Sequence, residues 1–205
     1  MFLVGGAFRL AFRLRVHGLG RIPARGGVLL VINHVSILDA IGVGLATTRR
    51  GRPARFVTAS EVFDLKVVGW GVRKIHQIPI RRGMADRAAL REAAAVIRDG
   101  ALAGIFPEGR VSEDASLARL QKGAARLALT AAVPLVPMGI WGTNLRWPRG
   151  GLRLGLPLRP RVAIVVGEPI AVAGDPRSAA DVRALTVQIA ERLGELAAVA
   201  RRAAR

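Results

Sequence analysis

Two rhythms of apolar and polar positions alternate along this chain. Short, wholly apolar runs such as 28–32 and 162–166 carry the mark of strands covered on both faces. Between them, apolar residues recur three and four apart, the spacing of a helix with one buried face. The pattern predicts strands over 28–32, 55–58, 77–80, 103–106, 135–140 and 162–166. It predicts helices over 1–16, 36–47, 61–68, 86–100, 122–131 and 178–200, with Asp86 capping the alanine-rich fourth helix and Gly100 ending it. The last helix places Val182, Leu185, Ile189, Leu193 and Leu196 on one face. Strands alternating with helices predict the α/β class, a single-domain αβ sandwich around a largely parallel central sheet. An N-terminal amphipathic, membrane-associating helix (residues 1–20) is expected ahead of the main domain (residues 21–205), with no internal repeat or second domain.

One stretch tests this reading. Residues 127–145 carry no charge and are numerous enough to cross a bilayer. Pro134, Pro137, Gly139 and Gly142 interrupt them, which predicts a helix end followed by a buried strand.

Composition sharpens the picture. With 205 residues the chain can bury one core, and its apolar fraction of 51% is high. The formal net charge of +18 is almost all arginine, lysine occurring only at positions 66, 74 and 122. An Ala/Arg-rich bias of this kind also arises from a GC-rich genome. A surface this basic still draws anions: lipid headgroups, phosphorylated substrates or nucleic acid. Nucleic acid is disfavoured, because there is no tyrosine and aromatics make up only 4%. The absence of cysteine excludes disulfides, thiol nucleophiles and Cys-based metal sites, and three scattered histidines (His17, His34, His76) argue against a His-rich one. No metal and no cofactor is expected.

The N-terminal region has no basic segment ahead of its apolar residues and no small-residue cleavage pattern, so no cleavable signal peptide is expected. Its Phe2, Leu3, Ala7, Phe8, Leu10, Ala11, Phe12 and Leu14 stand beside Arg9, Arg13 and Arg15, and the first acidic residue is Asp39. That mixture suits a helix lying in an anionic headgroup layer. Packing against its own domain is the alternative.

Candidate chemistry lies at the ends of the apolar runs. Asn33-His34-Val35-Ser36-Ile37-Leu38-Asp39 follows the first strand, so a histidine reaches a turn with a carboxylate five residues on. A histidine base oriented by a carboxylate is a common remedy for the high pKa of an attacking alcohol. Ser36 and Asp39 also have the spacing of a capping box, and one carboxylate has oxygens for both duties. Ile78-Pro79-Ile80-Arg81-Arg82 sends two arginines from a strand end, either a fork for a phosphate or a solvated charge pair. Phe106-Pro107-Glu108-Gly109-Arg110 offers a carboxylate for a polyol and a guanidinium for a phosphate, or else a turn with its own ion pair. Lys122 opens a helix, where a cation opposes the dipole and hints at a bound anion. Val133-Pro134-Leu135-Val136-Pro137-Met138 has no reactive group and can only shape a wall.

In this order, His34-x4-Asp39, Ile78-Pro79-Ile80-x-Arg82, Phe106-Pro107-Glu108-Gly109-Arg110 and Val133-Pro134-x-x-Pro137 resemble the four blocks of the glycerolipid acyltransferase family, over about residues 33–138. The resemblance implies His34 as general base and Asp39 as its orienting carboxylate. It implies Arg82, Glu108, Gly109 and Arg110 as ligands of a glycerol phosphate. Two positions depart from the pattern: Arg81 stands where many relatives carry an acid, and Ser60 where a lysine often precedes Glu61. The implied reaction moves a fatty acyl group from acyl-CoA or acyl carrier protein, as co-substrate, to the free hydroxyl of 1-acyl-sn-glycerol 3-phosphate. The product is phosphatidic acid, a step of phospholipid biosynthesis. Other acceptors (glycerol 3-phosphate, another lysophospholipid, a phosphorylated glycolipid) and a non-catalytic protein that binds anionic lipid are the alternatives. Such substrates place the chain on the cytoplasmic face of the plasma membrane, as a monotopic or peripheral protein.

Overall fold

A computed structural model of the protein describes residues 2–64, 66–74, 76–80 and 87–205. Seven strands form one sheet: β1 (Arg13–His17), β2 (Val28–Ile32), β3 (Arg55–Ala59), β4 (Ile78–Ile80), β5 (Leu102–Ile105), β6 (Leu135–Trp141) and β7 (Arg161–Val166). Their order is β1-β7-β6-β2-β5-β3-β4. Neighbours run parallel except β6 and β7, which are antiparallel. The helices are α1 (Phe2–Ala11), α2 (Asp39–Thr48), α3 (Ser60–Phe63), α4 (Lys66–Lys74), α5 (Arg87–Arg98), α6 (Gly123–Ala131) and α7 (Ala179–Ala203).

Alternation along the strands divides the core in two. Leu29, Val31, Ala103 and Leu135 face one side, where Ala93, Ala94 and Ile97 of α5, Leu127 and Ala128 of α6 and Val182, Leu185, Ile189 and Leu193 of α7 cover them. Leu30, Ile32, Val136, Met138, Ile140, Val162 and Ile164 face the other, against Phe8 of α1 and Val43 and Ala46 of α2. The result is the expected sandwich, helices on both faces of a mostly parallel sheet. Helix α7 comes so close to β6 that a Cβ at Gly139 would stand 2.3 Å from the Leu196 backbone. Only glycine fits that contact.

Three local expectations are corrected. Residues 13–16 do not continue the first helix but belong to β1, the edge strand paired with β7. Arg13-Leu14-Arg15-Val16-His17 alternates polar and apolar, and the half-buried leucine and valine lie on one face of the strand. Helix α1 is not free to lie wholly in a lipid layer, because Phe8 and Phe12 are buried in the core, their rings 4.6 Å apart. The second helix begins at Asp39, three residues later than expected, because residues 33–38 form the turn that carries the candidate histidine. The stretch 127–145 is the end of α6 followed by β6, as its prolines and glycines predicted. Among the described residues, no helix is long and apolar enough to cross a membrane. The capping residue Asp86 and the pair Arg81 and Arg82 lie outside the described residues.

Candidate functional site

The carboxyl ends of β2, β3, β4, β5 and β6 share one edge of the sheet, the edge at which open α/β sheets receive ligands. Strand β2 ends at Ile32, and the next residue is locked to the neighbouring strand. Asn33 donates from Nδ2 to the Ile140 carbonyl (3.1 Å) and accepts from the Ile140 N–H (2.7 Å). The chain then turns, and His34 leaves the sheet in a fixed direction.

Its imidazole meets Asp39, with Nδ1 3.0 Å from Oδ2. Asp39 is fully buried, whereas the His34 side chain keeps 16% exposure. The same Oδ2 accepts the N–H groups of Val35 (2.7 Å) and Ser36 (2.8 Å), while Oδ1 accepts the Thr143 hydroxyl (2.5 Å). Four donors converge on one carboxylate. In the neutral imidazole that network places the proton on Nδ1 and leaves the lone pair on Nε2. Holding the 33–38 turn and orienting the imidazole are therefore two duties of Asp39, whereas the N-cap of α2 is Leu38, which has no side-chain cap bond. Ser36 does not act as a free hydroxyl: its Oγ donates to the Trp147 carbonyl (2.6 Å) and accepts from the Leu38 N–H (3.1 Å).

The segment after β5 holds His34 from the other side. The Phe106 ring stacks on the imidazole at 4.0 Å between centroids, with Phe56 stacked behind it at 5.6 Å. Glu108 Oε1 accepts the His34 N–H (2.7 Å), and the Ser112 N–H donates to the His34 carbonyl (2.8 Å). Glu108 Oε2 accepts the Ala118 N–H (2.9 Å). Glu108 is only 2% exposed, so it does not present its carboxylate outward to a polyol as the sequence suggested. It is a positioning residue for His34.

Burial pushes the Glu108 carboxyl above the ordinary glutamate value of 4.5, opposed by the two N–H groups it accepts. The folded protein thus holds that proton more readily than the unfolded chain, and ionisation subtracts from stability as pH rises above 4.5. Glu108→Gln removes this dependence but must aim an NH2 at one of two backbone donors. We expect a stability loss of about 1–3 kcal/mol in urea unfolding, together with a lower kcat.

The remaining candidates sit at the rim. Gly109 adopts φ +70°, a left-handed turn that favours glycine, and a Cβ there would stand 3.6 Å from the Gln121 side chain. The Gln121 N–H donates to the Pro107 carbonyl (2.7 Å), which brings Lys122, the residue ahead of α6, beside the 107–110 turn. Arg110 and Lys122 are exposed, and among the described residues neither is in an ion pair. Pro137 is buried inside β6, opposite Val31, as part of the wall. Among the described residues, no three His, Asp or Glu side chains gather as a metal site requires. An open cleft of about 460 Å³, lined by Arg52, Arg55, Asp99 and Leu102 among others, lies at the amino ends of β3 and β5, on the opposite edge from His34.

Sequence reasoning missed Thr143. It stands more than a hundred positions from Asp39, and only the adjacency of β2 and β6 brings them together. Its one local signal is the break Gly142-Thr143-Asn144 after a buried strand, at the edge where ligands bind.

Three comparisons bear on this arrangement. Residues 13–141 match a protein-family model described as Acyltransferase. A 1-acyl-sn-glycerol-3-phosphate acyltransferase of Bacillus subtilis is 28% identical over 160 residues, 77% of this chain and 73% of that protein. A chloroplastic protein of the same description from Brassica napus is 28% identical over 163 residues, 78% of this chain. The chain spans less than half of that plant relative and of another from Arabidopsis thaliana, 45% and 44% of their lengths. The crystal structure of the 1-acyl-sn-glycerophosphate acyltransferase PlsC of Thermotoga maritima superposes with a TM-score of 0.69 at 27% identity, covering 92% of this chain and 74% of that one.

Proposed function

The chain belongs to the acyltransferase family, and on that premise we propose that it acylates the free hydroxyl of 1-acyl-sn-glycerol 3-phosphate from an acyl thioester, giving phosphatidic acid. One observation carries the reading: a mostly buried imidazole that keeps a little exposure, with Nδ1 committed to a buried carboxylate, at the ligand-binding edge of the sheet. His34 Nε2 takes the proton of the acceptor hydroxyl as its oxygen bonds to the thioester carbonyl carbon. Asp39 stabilises the imidazolium that forms. Collapse of the tetrahedral intermediate breaks the C–S bond, and the proton held by His34 passes to the departing thiolate. Substrate and product stay balanced, and no acyl-enzyme is needed. Acyl-CoA or acyl carrier protein serves as donor.

Arg82, Gly109, Arg110 and Lys122 supply the anion site for the acceptor's phosphate, an assignment supported by the exposed cations around the 107–110 turn. If so, Arg82→Ala raises KM for the phosphorylated acceptor at least about tenfold with a smaller change in kcat, as expected for loss of a charge-assisted contact. An unchanged KM removes Arg82 from the site. The reaction runs at the cytoplasmic face of the plasma membrane. Its assay crosses acyl-CoA and acyl carrier protein donors with 1-acyl-sn-glycerol 3-phosphate, glycerol 3-phosphate and uncharged lysophospholipids. The lysophosphatidate should be the preferred acceptor. Equal use of an acceptor without phosphate would contradict the anion site.

A further inference from the structure

Four leucines between β6 and β7 are turned out of the protein. Leu152, Leu154, Leu156 and Leu158 are 56, 86, 89 and 76% exposed. Isolated surface leucines need no explanation, but four at alternate positions of one loop form a patch of the kind that marks an interaction surface.

The loop is shaped in advance. The Arg146 guanidinium donates to the carbonyls of Arg153 (3.4 Å), Gly155 (2.7 Å) and Pro157 (2.5 Å), and the Arg153 N–H donates to the Arg146 carbonyl (2.8 Å). One arginine thus gathers the backbone of the loop. Little ordering remains to be done on binding, which favours association.

Charge identifies the occupant. Arg146, Arg149, Arg153 and Arg159 stand on this loop, and no acidic residue occurs from position 115 to 167. Apolar tips among arginines suit a surface that is oily inside and negative outside. The patch also adjoins α1, where Arg159 donates to the Arg9 carbonyl (2.7 Å) and Leu10 is 75% exposed. Its root is the catalytic turn itself: Thr143 bonds Asp39, Ser36 bonds the Trp147 carbonyl, and Arg149 pairs with Glu113.

We propose that the 152–158 loop is a leucine wedge that enters the headgroup layer of a bilayer containing anionic phospholipid, and that it holds the His34 edge of the sheet against the surface where lipid substrates reside. This rests on the reading that the chain works at a membrane. It assigns the docking element to a loop beside the site as well as to α1, whose Phe8, like Phe12 just after the helix, is already buried in the core.

The chain has no cysteine, so one introduced thiol gives a unique label. The test uses the full chain with an environment-sensitive fluorophore on Leu154→Cys. A control label goes on Ala173→Cys, exposed on the segment after Ile170, which bridges to the amino end of β6. Vesicles are phosphatidylcholine with and without phosphatidylglycerol, free of substrate, so binding is read apart from catalysis. With phosphatidylglycerol present, the label at 154 should shift to the blue and be quenched by lipid-borne spin labels, while that at 173 stays unchanged. Leu154→Ser/Leu156→Ser should weaken vesicle partitioning at least about tenfold at an unchanged melting temperature. Failure of the unmodified chain to bind either vesicle overturns both the membrane reading and the wedge. Binding with a silent label at 154, or undiminished binding by the double variant, overturns the wedge alone. Self-association without lipid that the double variant abolishes would assign the patch to a second copy of the chain and likewise overturn it.

Discussion

His34→Ala is expected to lower the rate of acyl transfer by about 10²- to 10⁴-fold while the protein stays folded. The large effect follows from chemistry. Without the imidazole, nothing at the turn takes the proton of an alcohol, and the oxygen attacks as a poor nucleophile. The small structural effect follows from how His34 is held. Its N–H is bonded to Glu108 and its carbonyl to Ser112, and both bonds belong to the backbone. Asp39 Oδ2 keeps the amides of Val35 and Ser36. What is lost is the stacking on Phe106 and the Nδ1 contact with Asp39. Initial rates set beside thermal melts check both halves, and a turnover near that of the wild type would end the general-base assignment.

Asp39→Ala should be far more damaging to the fold. It leaves the N–H groups of Val35 and Ser36 and the Thr143 hydroxyl in a buried place without their acceptor. Each unmet buried donor costs about 1–3 kcal/mol, so the sum takes a large part of a stability of about 5–15 kcal/mol. Asp39→Asn separates the two duties. An amide oxygen in the place of Oδ2 still accepts from both amides and from His34 Nδ1, and its NH2 can donate to Thr143 once that hydroxyl rotates. The fold should then survive with a loss of about 1–2 kcal/mol. The negative charge that steadies the imidazolium is gone, so kcat should fall sharply with little change in KM. Denaturant unfolding and steady-state kinetics on the two variants read this out. Full activity in Asp39→Asn would reduce Asp39 to a support of the turn.

The legible part of the site was the part written locally. His34 and Asp39 are five residues apart behind a wholly apolar strand, so one turn brings them together. The sheet was legible for the same reason, each central strand being a continuous apolar run. What escaped depends on neighbours far along the chain. Glu108 reads as a ligand because a carboxylate after a strand end ordinarily faces solvent, and nothing near it in sequence announces that the His34 N–H needs an acceptor. Thr143 is tied to Asp39 only through the pairing of β6 with β2. Strand β1 was obscured by the apolar helix before it, although its alternation was present in Arg13-Leu14-Arg15-Val16-His17. Helices α3 and α4 were expected as one short helix.

The Phe106–Arg110 block changes meaning in the fold. Its aromatic ring and carboxylate build the mount of the base, and its glycine and arginine remain at the rim for a substrate. In the proposed site, positioning and anion binding would thereby be divided between adjacent residues. The leucine loop extends the same economy outward, since its root residues touch Ser36 and Asp39.

The most direct measurement is mass-spectrometric analysis of the product formed from 1-acyl-sn-glycerol 3-phosphate and an isotope-labelled acyl thioester, by the wild type and by His34→Ala. The wild type should give phosphatidic acid carrying the labelled chain on the formerly free hydroxyl, and the variant at most a trace. No labelled phosphatidic acid from the wild type with either acyl-CoA or acyl carrier protein donors, or equal amounts from both proteins, would contradict it.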